Sequence, residues 1–171
     1  MADTPVPDHN CAETLVIGLG NPLRGDDGVG VRVVQALAEQ TLPAGVEVVD
    51  GGTQGLGIVN LMAGRQRVIL VDAADLGTEP GQFARFTLDE ARLLGDDQHI
   101  SIHAAGPRDA LLLAKALDCL PDTVILFGVQ PANVEWDSTL SPEVEAAVPA
   151  LIEAVLSIAR TQRPKGQSQR P

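Results

Sequence analysis

The chain has 171 residues, of which 44% are hydrophobic and 20% charged, a composition typical of one folded domain and too apolar for a disordered chain. Aromatic residues make up only 2%, so the core must be built from aliphatic side chains. The formal net charge of -11 disfavours contact with phosphates and anionic lipids, so we expect no nucleic-acid partner and no membrane partner.

Both ends of the chain are polar and contain proline. We predict a flexible arm over residues 1–12 and a disordered tail over residues 161–171. Cys11 and Cys119 form no CxxC pair and no zinc-ligand cluster, which favours two reduced thiols in the cytoplasm. No apolar run approaches the roughly 20 residues of a membrane helix, and we expect no signal peptide. The prediction is a cytoplasmic protein with one domain over residues 13–160.

Strands and helices are predicted to alternate between these ends. Continuous apolar runs predict four strands covered on both faces, and a fifth run that alternates is expected at a sheet edge. The continuous runs are Thr14–Leu19, Val46–Val49, Arg67–Val71 and Thr123–Gly128, and the alternating run is Gln82–Thr87. Helical spacing begins near Gly28 and recurs over Leu56–Ala63, Ala110–Leu117 and Val144–Ile158. The predicted fold class is therefore α/β, with a twisted, mainly parallel sheet of about five strands and helices on both faces.

Ligands of such a sheet bind beyond the carboxyl ends of its strands, so the polar residues there are the site candidates. The first strand runs into a glycine-rich loop that contains Asp26 and Asp27, just before a predicted helix. A single acid at this position would most simply cap the helix, whose free N–H groups favour an anion. Two adjacent acids favour a division in which one caps and the other faces the site.

Acids also follow the second and third strands. Asp50 begins an Asp-Gly-Gly sequence, which favours a turn and a functional acid about equally. Asp72 comes directly after the aliphatic run Val68–Val71, so its carboxylate is expected to be partly desolvated. Burying a charge is costly unless it is paired or bound to a metal, which favours a functional role for Asp72. Asp75 is expected to be a solvated loop residue.

The chain has three histidines, and His103 is the one best placed for function. His9 lies in the predicted arm, whereas His99 and His103 precede a helix that begins near Gly106-Pro107. A helix N-terminus favours neutral imidazole, the form that binds metals, and His103 is the nearer of the two. Two carboxylates and one imidazole would suit a divalent transition ion such as nickel or zinc.

At this point the sequence resembles the hydrogenase maturation proteases. The resemblance rests on separated segments that run in register over residues 14–158, and the set is specific although no single segment is decisive. The segments are Gly18-x-Gly20-Asn21-Pro22-Leu23-x-x-Asp26-Asp27-Gly28-x-Gly30, Asp50-Gly51-Gly52-Thr53-x-Gly55, Val71-Asp72-Ala73, Ser101-x-His103, and Gly128-Val129-Gln130-Pro131 followed by Leu140-Ser141-Pro142.

The resemblance implies an endopeptidase that removes the C-terminal extension of a nickel-iron hydrogenase large-subunit precursor after nickel insertion. It also implies that Asp27, Asp72 and His103 contact the nickel and act in catalysis, with Asp27 standing where relatives often carry Glu. We expect the precursor to supply the nickel, so that cleavage depends on metal loading. Asp50 is a candidate general base, Pro107 stands where relatives usually carry an aliphatic residue, and a monomer is the simplest expectation.

Three other functions stay open at this point. A metal hydrolase could hold its own zinc through the same two acids and His103. A nucleotide-binding module would use Gly18-x-Gly20 and Asp50, but Leu23 replaces the third glycine and the loop acids would repel a pyrophosphate. A non-catalytic chaperone could sense nickel loading without cleaving the precursor. The sequence offers no Gly-x-Ser-x-Gly segment and no Cys-His pattern for a nucleophile.

Overall fold

The computed structural model describes residues 12–93 and 107–161. The three histidines lie outside these ranges, as do the predicted arm and tail apart from Ala12 and Thr161. The elements are β1 Thr14–Leu19, α1 Val29–Ala38, β2 Val46–Gly52, α2 Ile58–Met62, β3 Arg67–Ala73, β4 Phe83–Thr87, α3 Leu88–Leu93, α4 Pro107–Ala116, β5 Thr123–Val129 and α5 Pro142–Arg160. Single turns of 3-10 helix, Gly25–Gly28 and Gly55–Gly57, lead into α1 and α2.

The five strands form one sheet in the order β2-β1-β3-β5-β4. The pairs β1–β2, β1–β3 and β3–β5 are parallel, and β4 runs antiparallel to β5. Apolar side chains of α1 and α5 pack on one face of the sheet, and those of α2 and α4 pack on the other. The predicted α/β fold class is therefore confirmed, including the mainly parallel sheet and the two helical layers. In the described ranges, no helix is long and apolar enough to cross a bilayer.

The two edge strands differ from each other in how well they were predicted. The edge position of β4 is confirmed, because it pairs with β5 alone. The prediction of a buried second strand is wrong, since β2 forms the opposite edge and Glu47 is exposed. An edge strand has one neighbour and incomplete cover, which an aliphatic run by itself does not reveal.

Helix α3 was not predicted, although the sequence carries its signal. Thr87 and Glu90 form a capping box, in which the Glu90 Oε2 accepts from the Thr87 N at 2.7 Å and the Thr87 Oγ1 accepts from the Glu90 N at 3.3 Å. Helix α4 begins at Pro107, as the proline predicted.

The start of α1 lies directly on the sheet because two glycines allow close backbone approach. A Cβ on Gly30 would lie 2.2 Å from the Val71 carbonyl oxygen, and one on Gly18 would lie 2.1 Å from the Gly30 carbonyl oxygen. Such distances exclude any side chain at these positions. The contact holds the β1–α1 loop over the carboxyl ends of β1 and β3, where the candidate acids lie.

Candidate active site

Asp27 and Asp72 come together at the carboxyl edge of the sheet. Asp27 is buried in the turn before α1, and its Oδ2 accepts a hydrogen bond from the Asn21 N at 2.8 Å. Asp72 lies near the end of β3, where its Oδ1 accepts from the Ala73 N at 2.9 Å. The negative charge of Asp27 acts on Asp72, so the topology does bring these two predicted residues together.

Burial and, to a smaller extent, the nearby charge of Asp27 raise the pKa of Asp72 to about 7, against the opposing effect of the Ala73 hydrogen bond. Asp72 retains some accessible surface, but its carboxyl group is enclosed by protein. The predicted desolvation of Asp72 is therefore confirmed. A carboxyl group that titrates near neutral pH beside a second acid is characteristic of a functional site.

The adjacent Asp26 has a different environment and a structural role. It is buried, and its carboxylate accepts from the Ala132 N at 2.8 Å, the Asn133 N at 3.0 Å, the Ser141 N at 2.6 Å and the Ser141 Oγ at 2.9 Å. The N-cap positions before α1 are occupied by Arg24 and Gly28, without a side-chain cap. The expectation that one of the two acids caps the helix is thus wrong: Asp26 instead fastens the loop between β5 and α5.

Asp50 also lies near the carboxyl ends of the strands, on the outer strand β2. It is exposed at the end of β2, opposite Gly18 in the sheet register, and its Oδ1 accepts from the Gly52 N at 2.8 Å. This is the turn geometry expected of Asp-Gly-Gly. Asp50 as a general base stays a prediction. Asp75 is an exposed loop residue, as predicted, and its Oδ1 accepts from the Gly77 N at 3.1 Å.

The third predicted ligand, His103, lies outside the described residues. Within residues 12–93 and 107–161, no group of three or more acids, histidines or cysteines is placed to hold a metal ion. The described part of the site therefore consists of the Asp27–Asp72 pair, and the three-residue ligand set stays a prediction.

Sequence reasoning named Gln130 and Ser141 only as members of family segments and did not predict that they hold the site loops together. Gln130 fastens the β3–β4 loop, since its Oε1 accepts from the Leu76 N at 2.6 Å. Ser141 caps α5 by accepting from the Val144 N at 3.4 Å while its own N–H and hydroxyl bind Asp26. A serine before Pro142 is a recognisable helix start, whereas the contact of Asp26 with a loop more than 100 residues away leaves no local signal.

Known proteins are similar to this chain in both sequence and fold. The family model for hydrogenase maturation proteases matches residues 31–158. The hydrogenase expression/formation protein HupD of Rhizobium leguminosarum bv. viciae is 35% identical over 165 residues, which cover 92% of this chain and 82% of that protein. The hydrogenase 2 maturation protease of Escherichia coli K12 is 36% identical over 148 residues, which cover 85% of this chain and 90% of that protein.

The fold agrees with these sequence relationships. The structure of the hydrogenase maturating endopeptidase HybD from Escherichia coli matches with a TM-score of 0.78 and 35% identity, and the match covers 86% of this chain and 92% of that chain. The family model, the relatives and the fold therefore agree with the resemblance in the sequence. This chain belongs to the hydrogenase maturation protease family and is a hydrogenase maturation endopeptidase.

Proposed function

We propose that this endopeptidase removes the C-terminal extension of a nickel-iron hydrogenase large-subunit precursor after nickel insertion. The nickel belongs to the substrate, and Asp27, Asp72 and His103 of the protease recognise it. The precursor is the partner, the protease works as a monomer in the cytoplasm, and the metal is not held permanently. Cleavage then depends on whether the precursor carries its ion.

The observation that carries this proposal is the carboxylate pair at the sheet edge. Burial and then the negative charge of Asp27 raise the pKa of Asp72, so two ionised carboxylates are disfavoured at this place. A divalent cation presented at this edge would offset that repulsion and favour ionised Asp72. The pair therefore suits a site that meets its cation only when a substrate arrives.

The chemistry of the donors fits a shared coordination of nickel. The precursor would contribute soft thiolates, and the protease would contribute two carboxylates and an imidazole, all of which are suitable nickel ligands. The bound ion can position or polarise the scissile carbonyl group, or activate water. Asp50, exposed at the neighbouring strand end, is our candidate for the base that receives a proton from water.

A processing assay tests the proposal directly. The purified chain is mixed with the cognate precursor, with and without nickel, and the mass of the precursor's C-terminus is measured. We expect cleavage of the nickel-loaded form only, and no detectable cleavage with Asp72→Asn. Asp75→Asn is the matched control, because Asp75 is an exposed acid in the adjacent loop and asparagine keeps the bond to the Gly77 N.

The outcomes separate the parts of the proposal. Cleavage of both precursor forms would overturn nickel recognition but keep the endopeptidase. Normal cleavage by Asp72→Asn would remove Asp72 from the site. Failure of the chain to cleave a precursor that another family member does process would overturn the proposed substrate and favour a sensor of nickel loading.

A further inference from the structure

Exposed apolar side chains lie in loops at the same end of the sheet as the acid pair. Leu23 in the β1–α1 loop is 58% exposed, and Trp136 in the β5–α5 loop is 76% exposed. Both loops leave the carboxyl ends of their strands, so both lie at the edge that carries Asp27 and Asp72. An exposed tryptophan beside an exposed leucine is unusual on a surface that must stay soluble, and such side chains are enriched in binding sites.

The backbones of the two loops are paired, which places Leu23 and Trp136 in neighbouring positions. Arg24 and Asp137 form a parallel bridge, the Gly25 N donates to the Asp137 O at 2.7 Å, and the Asp137 N donates to the Leu23 O at 3.1 Å. Leu23 and Trp136 are the preceding residues of this parallel pair and therefore lie level with each other. We call this pair of side chains the apolar platform.

Hydrogen bonds and a cation–π contact hold the platform in place. Asp26 fastens the ends of the β5–α5 loop through its bonds to the Ala132 N and to Ser141. Arg24 donates from its Nε to the Val134 O at 3.1 Å, and its guanidinium carbon lies 5.7 Å from the centre of the Trp136 ring. The tryptophan is thus exposed but supported by a cation–π contact. A surface ordered before binding loses less conformational entropy when a partner arrives.

The platform is continuous with the site. Asn21 lies two residues before Leu23, and the Asn21 N donates to the Oδ2 of Asp27. The Asn21 Oδ1 accepts from the Leu23 N at 3.0 Å, so a single residue connects the platform to the site acid. A polypeptide whose reacting end reaches Asp27 and Asp72 would therefore pass close to the platform.

We propose that the apolar platform docks the precursor polypeptide itself, through a segment that presents an apolar side chain flanked by basic residues. The inference rests on the proposed function, because it takes the precursor as the occupant. Glu135 and Asp137 flank Trp136 and are exposed, and hydrogen bonds from Thr139 lower the pKa of Asp137, which keeps it ionised. With a net charge of -11, the chain repels a second copy of itself and an anionic membrane, and it attracts a basic segment.

Kinetics on the nickel-loaded precursor test the platform. We expect Trp136→Ala to raise the KM by about tenfold or more, as large aromatic anchors at interfaces do, and to change kcat by less than about twofold. Leu23→Ala should raise the KM several-fold, and Trp136→Phe should restore most of the lost binding. Leu117→Ala is the matched control, because Leu117 is 60% exposed at the opposite end of the sheet, after α4, and should leave the KM unchanged.

A second measurement does not depend on cleavage. Trp136 is the only tryptophan of the chain, so incorporation of 5-fluorotryptophan yields a protein with a single fluorine resonance. Unlabelled nickel-loaded precursor should shift or broaden that resonance in Asp72→Asn protease, at concentrations at which a pull-down shows the two proteins to be bound. Serum albumin, an acidic protein of unrelated sequence, is the control for non-specific contact.

The results separate this inference from the proposed function. If wild-type protease cleaves the precursor and Trp136→Ala cleaves it with the same KM, the platform is not the docking surface, and the proposed function stands. An unchanged fluorine resonance in Asp72→Asn protease that a pull-down shows to be bound to the precursor would overturn the platform independently. If the wild-type protease cleaves no precursor, the proposed function fails first, and a resonance that still shifts would support docking without cleavage.

Discussion

Two aspartates at the same edge of the sheet, Asp26 and Asp72, have opposite environments. Asp26 lies on the side of the β5–α5 loop, fully buried and surrounded by four hydrogen-bond donors. Asp72 lies at the end of β3, where one backbone N–H opposes both burial and the charge of Asp27. The supply of donors, rather than burial alone, separates a carboxylate that stabilises the fold from one whose charged form is poorly stabilised.

The largest loss of stability is expected from removing the carboxylate of Asp26, which accepts four hydrogen bonds. Asp26→Ala leaves the loop N–H groups and the Ser141 hydroxyl without their acceptor, and should lower the free energy of unfolding by about 3 kcal/mol or more. Urea unfolding of the two proteins at pH 7 measures this difference. Asp26→Asn, which keeps one acceptor oxygen, should lie between them. A loss below about 1 kcal/mol would show that water replaces the carboxylate, and the contrast with Asp72 would then disappear.

Asp72→Asn should raise the free energy of unfolding, and the difference from wild type should depend on pH. The folded pKa of Asp72, raised to about 7, lies above the ordinary value of 3.8, so the protonated group favours the folded state. That contribution is complete below pH 3.8 and is lost as the pH rises to about 7. The stability of Asp72→Asn relative to wild type should therefore increase by about 4 kcal/mol between about pH 4 and pH 7 in metal-free buffer and stay constant above, because one pKa unit corresponds to about 1.4 kcal/mol.

Urea unfolding at several pH values measures this difference, with Asp75→Asn as the control. Acids distant from Asp72 contribute equally to both proteins, so their effect cancels when Asp72→Asn is compared with wild type. A pH-independent difference between Asp72→Asn and wild type would contradict the raised pKa of Asp72. The same variant loses processing under our proposal, so greater stability with lost activity would sharpen the contrast with Asp26.

The smallest effect on stability is expected from replacing Ser141, one of the hydrogen-bond partners of Asp26. Ser141→Ala removes the α5 cap and one hydroxyl donor to Asp26, while the Ser141 N–H bond at 2.6 Å remains. The expected loss is about 1 kcal/mol, typical of an N-cap substitution. Thermal unfolding measures it, and Ser141→Thr should recover most of the loss. A destabilisation as large as that of Asp26→Ala would show that Ser141, rather than the other partners of Asp26, provides most of the stabilisation.

Much of the fold and part of the site were predictable from the sequence. Aliphatic runs alternating with helical spacing predicted the parallel sheet, and that topology placed Asp27 and Asp72 at one edge. The strongly apolar stretch before Asp72 also predicted its desolvation. These inferences succeeded because each depends on a short segment or on the regular geometry of the α/β fold.

The sequence by itself determined the class of fold, the edge that carries the site and the family. The tertiary structure decided which of two adjacent acids faces the β5–α5 loop, that β2 lies at an edge, and that Trp136 stands beside Leu23. The physical reason is distance along the chain. Asp26 meets Ser141 and Arg24 meets Trp136 across more than 100 residues, and neither periodicity nor turn chemistry carries information over that separation.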